Sequence, residues 1–165
     1  LRNRASDDHS PSSEATLSAL DQAEEHWGKS FSVVAQLMAN CPLRTSQHVC
    51  AAMNSFSEKS ASSQISCFRF GWMNPWWAAK LSSDCRPEWI FPAAKFSRSQ
   101  DLPVLYCPSG ALWIAKTQSL RSHKSYYTPD HIFSEMDWIS AMDIDDEEDW
   151  KMAEACMMLQ QRGTK

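Results

Sequence analysis

Two aspartates near the C-terminal end of the chain are the residues best suited to chemistry. Asp143 and Asp145 are separated by Ile144 and followed by the acidic run 146–149. Alternate side chains of a strand point to one face, so an extended segment would place both carboxylates together and turn Ile144 into the core. Two carboxylates on one face suit Mg²⁺ that bridges to a phosphate group. The spacing therefore predicts a magnesium site at Asp143 and Asp145.

The acidic run also has a simpler interpretation, which the spacing leaves open. Asp146, Glu147 and Glu148 stand at the start of a helical pattern. Carboxylates stabilise the first turn of a helix because they oppose the positive end of its dipole. On this alternative the cluster is an acidic helix start and binds no metal.

The composition indicates a globular domain and excludes several classes of function. The chain has 165 residues, of which 43% are hydrophobic and 22% charged. The net charge is −4 and no basic stripe is interleaved with aromatic residues, which argues against a nucleic-acid partner. The sequence has no run of 18 apolar residues, so no membrane span is expected. We expect a cytoplasmic protein with a single hydrophobic core.

The cysteine pattern favours buried, reduced thiols. None of the six cysteines forms a Cys-x-x-Cys pair, so a structural zinc site is not expected. Their scatter along a chain of this length does not resemble a disulfide framework. The six are Cys41, Cys50, Cys67, Cys85, Cys107 and Cys156.

The hydrophobic periodicity predicts helices that alternate with strands. We expect helices over 11–26, 46–56, 117–123 and 147–161, and strands over 31–38, 62–70 and 110–115. Such alternation is typical of an α/β protein with a mostly parallel sheet covered on both faces. The segment 71–97 differs, because its four tryptophans and three prolines indicate an inserted excursion of short strands and turns with exposed aromatic residues.

Three loops fall where an open α/β sheet binds ligands, at the carboxyl ends of its strands. They are 39–45, the stretch 97–103 that leads into 106–111, and the Asp143/Asp145 segment. Taken singly, each loop is more simply explained as a turn.

Taken together and in this order, the loops resemble the acylneuraminate cytidylyltransferases, the family of CMP-sialic, pseudaminic and legionaminic acid synthetases. Residues 41–44, Cys-Pro-Leu-Arg, are similar to the family's Ser-Pro-Leu-Arg turn, and residues 98–103 to its Arg-Ser-Gln-Asp-Leu-Pro segment. Residues 109–114 resemble its Asn-Gly-Ala-Ile-Tyr-Ile strand. The Asp-Ile-Asp of 143–145 and the acidic residues after it resemble its Asp-Ile-Asp-Thr-Glu-Asp-Asp helix start, which is the most specific of the four motifs.

The resemblance implies a fold and an assembly. The fold would be a three-layer α/β/α, nucleotide-diphospho-sugar-transferase-like (Rossmann-like) domain, with residues 1–165 forming the C-terminal two-thirds of the family domain. The polar opening through Asp8 would follow the family's second strand. Residues 71–108 would be the inserted, Trp-rich dimerisation arm, so a homodimer is implied.

The resemblance also implies a reaction and roles for individual residues. The family transfers CMP from CTP to a sugar acid and releases pyrophosphate. Asp143 and Asp145 would hold Mg²⁺ against the nucleotide phosphates, and Arg98 would complete the catalytic set by facing the acid or the phosphates. The substrate-binding residues would be Arg44, Ser109, Trp113, Tyr126 and Tyr127.

Departures from the family pattern define a second hypothesis. The chain has four glycines and no Gly-x-Gly run, so the family's glycine-rich phosphate loop is absent from it. Met38 stands where the family has a glutamine that meets the sugar, and Ser109 stands where it has an asparagine. The alternative function is a non-catalytic remnant that keeps the sheet and the arm as a dimeric binding or structural module.

Overall fold

The computed structural model describes residues 5, 7 and 9–162. Part of the predicted polar opening, including Asp8, lies outside the described residues, as do the two ends of the predicted domain 1–165. In the described part of the chain there are four helices and six strands. The helices are α1 (Ser12–Trp27), α2 (Ser46–Lys59), α3 (Thr117–His123) and α4 (Glu147–Arg162); the strands are β1 (Val33–Gln36), β2 (Ser63–Arg69), β3 (Ala79–Leu81), β4 (Pro87–Trp89), β5 (Tyr106–Lys116) and β6 (Ile132–Met136).

The main sheet has the strand order β1-β5-β2-β6. Strand β5 is antiparallel to both β1 and β2, whereas β2 and β6 are parallel. The protein is therefore a mixed α/β protein as predicted, but the prediction of a mostly parallel sheet is wrong. Three strands run in the same direction, namely β1, β2 and β6. The long excursion after β2 returns the chain to the end of the sheet at which β2 finishes. Strand β5 therefore starts at that end and runs between β1 and β2 in the opposite direction.

Helices cover both faces of this sheet. On one face, Ala52 and Phe56 of α2 pack against Leu112 and Ile114 of β5. On the other face, Leu120 of α3 packs with Ile65, Ala115 and Tyr126, and Leu17 of α1 adds to that cluster. Successive β5 residues thus point into opposite cores, as the period of a strand requires.

The segment between β2 and β5 forms an irregular excursion with its own small hairpin. Strands β3 and β4 pair antiparallel, and short 3₁₀ turns precede and follow them. Several of its apolar side chains are exposed: Trp72, Met73, Leu81, Ile90 and Phe96. The expectation of short strands, turns and exposed aromatic residues is confirmed here. We refer to residues 71–108 as the Trp-rich arm.

Two further observations bear on the composition-based predictions. Within the described ranges, no helix is long and apolar enough to cross a membrane. All six cysteines are free, in agreement with the prediction of thiols. Only Cys41, Cys67 and Cys156 are buried, however, so the expectation of mostly buried thiols holds for half of them.

Candidate functional site

The three strands of common direction end at one edge of the sheet, and β5 begins there. The loop after β1, the arm after β2 and the turn after β6 therefore meet at this edge, together with the start of β5. All three sequence-predicted loops lie along it. This is the edge at which open α/β sheets bind ligands.

The segment that carries Asp143 and Asp145 is irregular, so the prediction that it forms a strand is wrong. A backbone hydrogen bond joins it to the loop after β1, from the Ile144 N–H to the Asn40 carbonyl at 2.9 Å. The Asn40 side-chain amide donates in turn to the Ile144 carbonyl and to Asp145 Oδ1, each at 3.4 Å. Asn40 thus performs the positioning that strand pairing was expected to perform.

The electrostatics of Cys41 place both aspartates near the loop after β1. Cys41 is 2% exposed, and its pKa is raised to about 11, first by burial and then by the charges of Asp143 and Asp145, with Arg44 opposing them. Burial and the charge of Asp143 also raise the pKa of Cys107, which follows the first residue of β5. Both thiols therefore stay protonated at neutral pH, so neither is suited to act as a nucleophile.

The acidic helix start and the aspartate pair are separate features. Asp146 Oδ1 accepts from the backbone N–H groups of Glu148 and Asp149, at 2.7 and 3.0 Å. Asp149 Oδ2 accepts from those of Asp145 and Asp146, at 3.0 and 3.2 Å. Reciprocal bonds of this kind cap a helix. The simpler interpretation therefore holds for Asp146 and Asp149, whereas the side chains of Asp143 and Asp145 take no part in the cap.

The donor set at this position fits a magnesium ion that is shared with a phosphate. In the part of the chain that the structure describes, no three His, Cys, Asp or Glu side chains come together as a metal site. Mg²⁺ commonly takes only one or two protein carboxylates and completes its shell with water and substrate phosphates. Asp143 and Asp145 are exposed and supply hard oxygen donors of that kind.

Arg44 is committed to holding the loop against β5. Its Nη1 donates to the Met38 carbonyl at 3.2 Å and to the Ala111 carbonyl at 2.5 Å. The guanidinium therefore fixes the distance between the loop after β1 and the middle of β5. Arg44 lies in the site where the sequence predicts a substrate-binding residue, with part of its donor capacity used by the protein itself.

Ser109 lies in an irregular stretch of β5, where the strand bulges. The pairing with β2 jumps from Ile65↔Trp113 to Cys67↔Pro108, so residues 109–112 stand opposite Ser66 alone. The Ser66 hydroxyl donates to the Ser109 carbonyl and accepts from the Leu112 N–H, both at 2.9 Å. Ser109 itself is buried. Ser66 thus replaces ladder hydrogen bonds that the bulge removes.

The predicted aromatic residues form one cluster beside this bulge. Trp113 donates from Nε1 to the Ser109 carbonyl at 2.6 Å, and its ring lies 5.3 Å from that of Tyr126 and 5.9 Å from that of Tyr127. Tyr126 is 1% exposed, and burial raises its pKa to about 12. Tyr127 is half exposed. Of these rings, therefore, Tyr127 is the one that a ligand in solution can reach most readily.

Arg98 stands apart from these groups. It lies on the Trp-rich arm and forms a two-pronged ion pair with Asp101, from Nε to Oδ2 at 2.7 Å and from Nη2 to Oδ1 at 3.0 Å. Both side chains are largely exposed. The structure thus brings Asp143, Asp145 and Arg44 near the same loop and clusters Ser109 with the aromatic residues. Within the described ranges, Arg98 has no hydrogen bond or ion pair with either group.

Sequence reasoning missed the residues that hold the site in shape. Asn40 entered the prediction only as one position of the loop 39–45, and Ser66 only as one position of the strand 62–70. An asparagine directly before Cys-Pro does signal a special backbone, because its side chain readily bonds neighbouring main-chain groups. No local signal could identify Ser66, because its partners lie more than forty residues away in the chain.

The comparisons with known proteins identify no relative. No family model matches the chain, and no curated protein matches it. The resemblance to the cytidylyltransferases therefore rests on the motif residues named above.

Proposed function

We propose that this chain is the nucleotidyl-transfer domain of an enzyme that activates a nonulosonic sugar acid, by transfer of CMP from CTP with release of pyrophosphate. The observation that carries the proposal is the meeting of Asp143 and Asp145 with the Cys-Pro-Leu-Arg loop, through Asn40, at the ligand-binding edge of the sheet. The finer fold that we propose is the three-layer Rossmann-like sandwich of nucleotide-sugar transferases, to which β5 adds an antiparallel strand.

Each group at the edge has a role in this reaction. Asp143 and Asp145 would hold Mg²⁺, and Asn40 orients the carboxylate of Asp145. When bound, Mg²⁺ neutralises charge that develops on the transferred phosphoryl group. Arg44 keeps the loop and β5 at a fixed spacing, so the carboxylates do not have to be reorganised when the nucleotide arrives.

Asp101 occupies two of the N–H donors of Arg98, so this forked face of the guanidinium would serve a ligand only if the ligand replaced Asp101. Its ion pair with Asp101 is exposed, and exposed pairs contribute little to stability. A ligand carboxylate or phosphate offers the same forked geometry as Asp101. Asp101 thus keeps the Arg98 side chain ordered in the absence of ligand.

Binding and turnover with matched variants test the proposal. We expect CTP to bind only when Mg²⁺ is present, and pyrophosphate release to require a sugar acid as well. Asp145→Asn should weaken Mg²⁺-dependent CTP binding at least tenfold, whereas Glu147→Gln, which neutralises a neighbouring exposed carboxylate, should not. Equal effects of the two variants, or CTP binding that ignores Mg²⁺, would contradict the metal assignment.

The arm favours a second candidate function, a non-catalytic dimeric module. Trp72 and Phe96 are 86% and 87% exposed, which is typical of an interaction surface. This alternative predicts a dimer that binds neither Mg²⁺ nor CTP. The same titration therefore separates the two functions, because only the first requires the aspartate pair.

A further inference from the structure

A histidine connects the two chain segments that carry the candidate site. His48 is the third residue of α2, directly after the loop 39–45. Its ring stands between Thr45 in that loop and Asp137, which begins the turn from β6 toward the aspartate pair. Asn40 already joins the same two segments, so His48 is a second connection between them. Neither His48 nor Asp137 has a role in the motif-based predictions.

On the loop side, the ring of His48 accepts a hydrogen bond. The Thr45 N–H donates to Nδ1 of His48 at 3.1 Å. A glutamate or glutamine at the third position of a helix commonly accepts this bond as half of a capping box, and here an imidazole takes its place. An Nδ1 atom that accepts from an N–H group carries no proton, so the neutral ring has its proton on Nε2.

On the other side, the ring of His48 faces a fixed carboxylate. Nε2 lies 3.8 Å from Asp137 Oδ2, which is too long for a hydrogen bond but close enough for charge attraction. Asp137 Oδ1 accepts from the buried Ser140 N–H at 2.9 Å. Burial would raise the pKa of Asp137, but the hydrogen bonds from Ser140 and the charge of His48 outweigh it, and the pKa is lowered. Asp137 is therefore negatively charged at neutral pH.

Proton uptake would change which of these two partners the ring serves. Both nitrogens of a protonated imidazole are donors, so Nδ1 could no longer accept from the Thr45 N–H, and two donors would oppose each other. The attraction to Asp137 would grow at the same time. Among the described residues, Asp137 is the charged group paired with this ring, whereas Thr45 is uncharged. Imidazole is the side chain whose charge ordinarily changes between about pH 5 and 8.

We propose that His48 is a positioning residue that fixes the loop 39–45 for nucleotide binding when its ring is neutral and releases the loop when the ring takes up a proton. The inference rests on the proposed function and deepens it, because it names pH as a regulator of the same site. The loop carries Asn40, which orients Asp145, and Arg44, which holds β5. Release of the loop should therefore weaken Mg²⁺-dependent CTP binding.

A variant that keeps the acceptor but cannot titrate tests the proposal. The amide oxygen of His48→Gln can accept from the Thr45 N–H, as glutamine does in other capping boxes, so at pH 8 its CTP affinity should lie within about twofold of the wild type. Between pH 8 and pH 5.5 the wild type should lose at least about fivefold more affinity than His48→Gln. Titration of CTP itself affects both proteins equally and cancels in this comparison.

Two further variants complete the binding series. His48→Ala has no acceptor and should bind CTP at least about threefold more weakly than the wild type already at pH 8. His123→Gln is the control, because His123 is an exposed histidine at the end of α3, which follows the opposite end of β5. It should keep the pH dependence of the wild type. Equal pH dependence in the wild type and His48→Gln would overturn the proposal.

Nuclear magnetic resonance tests the connection without CTP. At pH 8 the ring nitrogens of His48 should show the Nε2–H tautomer, and the Thr45 amide resonance should move with the same midpoint as the ring. Asp137→Asn keeps an acceptor for Ser140 and removes the charge, so this midpoint should move to lower pH. An Nδ1–H tautomer, or a Thr45 amide that does not follow the ring, would overturn the proposal. If no variant binds CTP at pH 8, the transfer reaction fails, and the Thr45 resonance alone decides whether His48 positions the loop.

Discussion

Gly110 and Met38 are in such close contact that a Cβ atom on Gly110 would lie 2.6 Å from the Met38 sulfur. The Met38 N–H also donates to the Gly110 carbonyl at 3.4 Å. The loop after β1 thus lies directly on the backbone of β5, at the same place where Arg44 bonds to Ala111. A side chain at position 110 would have to displace the Met38 side chain, whose sulfur and Cγ occupy the space that a Cβ atom would take.

Gly110→Ala should therefore destabilise the fold by about 1–3 kcal/mol, the usual cost of overpacking. Gly71→Ala is the matched control, since a Cβ there would meet nothing within 4 Å. Urea denaturation measures both. Combining Gly110→Ala with Met38→Ala should recover part of the loss, because the obstructing side chain is removed. Strictly additive losses in the double variant would show that Met38 is not the obstruction.

The Ser66 hydroxyl should contribute more to the stability of the fold than the hydroxyl of an ordinary serine in a strand. Ser66→Ala leaves the buried Leu112 N–H without its acceptor and the Ser109 carbonyl without one of its donors. Loss of such bonds in a buried site costs about 1–3 kcal/mol of unfolding free energy. Thermal or urea unfolding of Ser66→Ala measures the loss directly.

Ser134→Ala on the neighbouring strand is the comparison for Ser66→Ala. Ser134 pairs with Ser66 in the parallel register, but its hydroxyl takes part in no hydrogen bond among the described residues. Its removal should change stability by less than about 0.5 kcal/mol. If the two serine variants were equally stable, the hydroxyl of Ser66 would not be supporting the bulge.

The helices of this protein could be predicted from the sequence, whereas the direction of its strands could not. The prediction for α3 matches both ends, and that for α1 is displaced by one residue. Helix periodicity, a first-turn glutamate and a closing Gly28 are local signals. The residue pattern of a strand is the same whichever way the strand runs, so it carries no information on direction. The antiparallel course of β5 depends instead on the length and path of the arm. Strand β6 was not predicted. In the structure its exposed residues Phe133 and Glu135 alternate with less exposed neighbours.

The candidate site was predictable in its residue types and less so in its geometry. The carboxylates do gather near Arg44, but Asn40, rather than strand pairing, orients Asp145. The Asp-Ile-Asp spacing suggested a strand, yet it contains one β-branched residue between charged ones and has no neighbouring strand to pair with. Side-chain bonds between loops distant in sequence decide such segments, and local patterns carry no information about them.

Tyr126 should make stability fall at alkaline pH. Its pKa is raised from the ordinary 10.0 to about 12 in the fold, so the unfolded chain loses this proton first. The stabilising contribution is fully present below pH 10 and is lost between about pH 10 and 12, at about 1.4 kcal/mol per pH unit. Comparing unfolding free energies at pH 8 and pH 11, Tyr126→Phe should show about 1.4 kcal/mol less alkaline loss than the wild type.

The same substitution should not harm the protein at pH 8. The Tyr126 hydroxyl is buried and lies near the Thr16 hydroxyl, which is already bonded to Ser12 and Gln36. In the described part of the structure no partner meets the usual hydrogen-bond geometry, so removal of the Tyr126 hydroxyl should leave stability unchanged or raise it by about 1 kcal/mol. A large loss for Tyr126→Phe at pH 8 would reveal a partner for the hydroxyl and contradict this prediction.

The Trp-rich arm contains aromatic residues of two kinds, and they should affect self-association differently. Trp76 bonds to Pro103 and contacts Phe91, so it supports the arm itself. Trp72 and Phe96 are almost fully exposed and do not support the arm in this way.

If a second copy covers the arm, Trp72→Ala and Phe96→Ala should each raise the dimer dissociation constant at least tenfold, since buried aromatic anchors dominate interface energies. Sedimentation velocity measures the constants, and circular dichroism should show these two variants folded as the wild type is. Trp76→Ala should instead lower thermal stability together with association. A wild-type chain that sediments as a monomer at high concentration would remove the dimer from the proposal while leaving the aspartate pair in place.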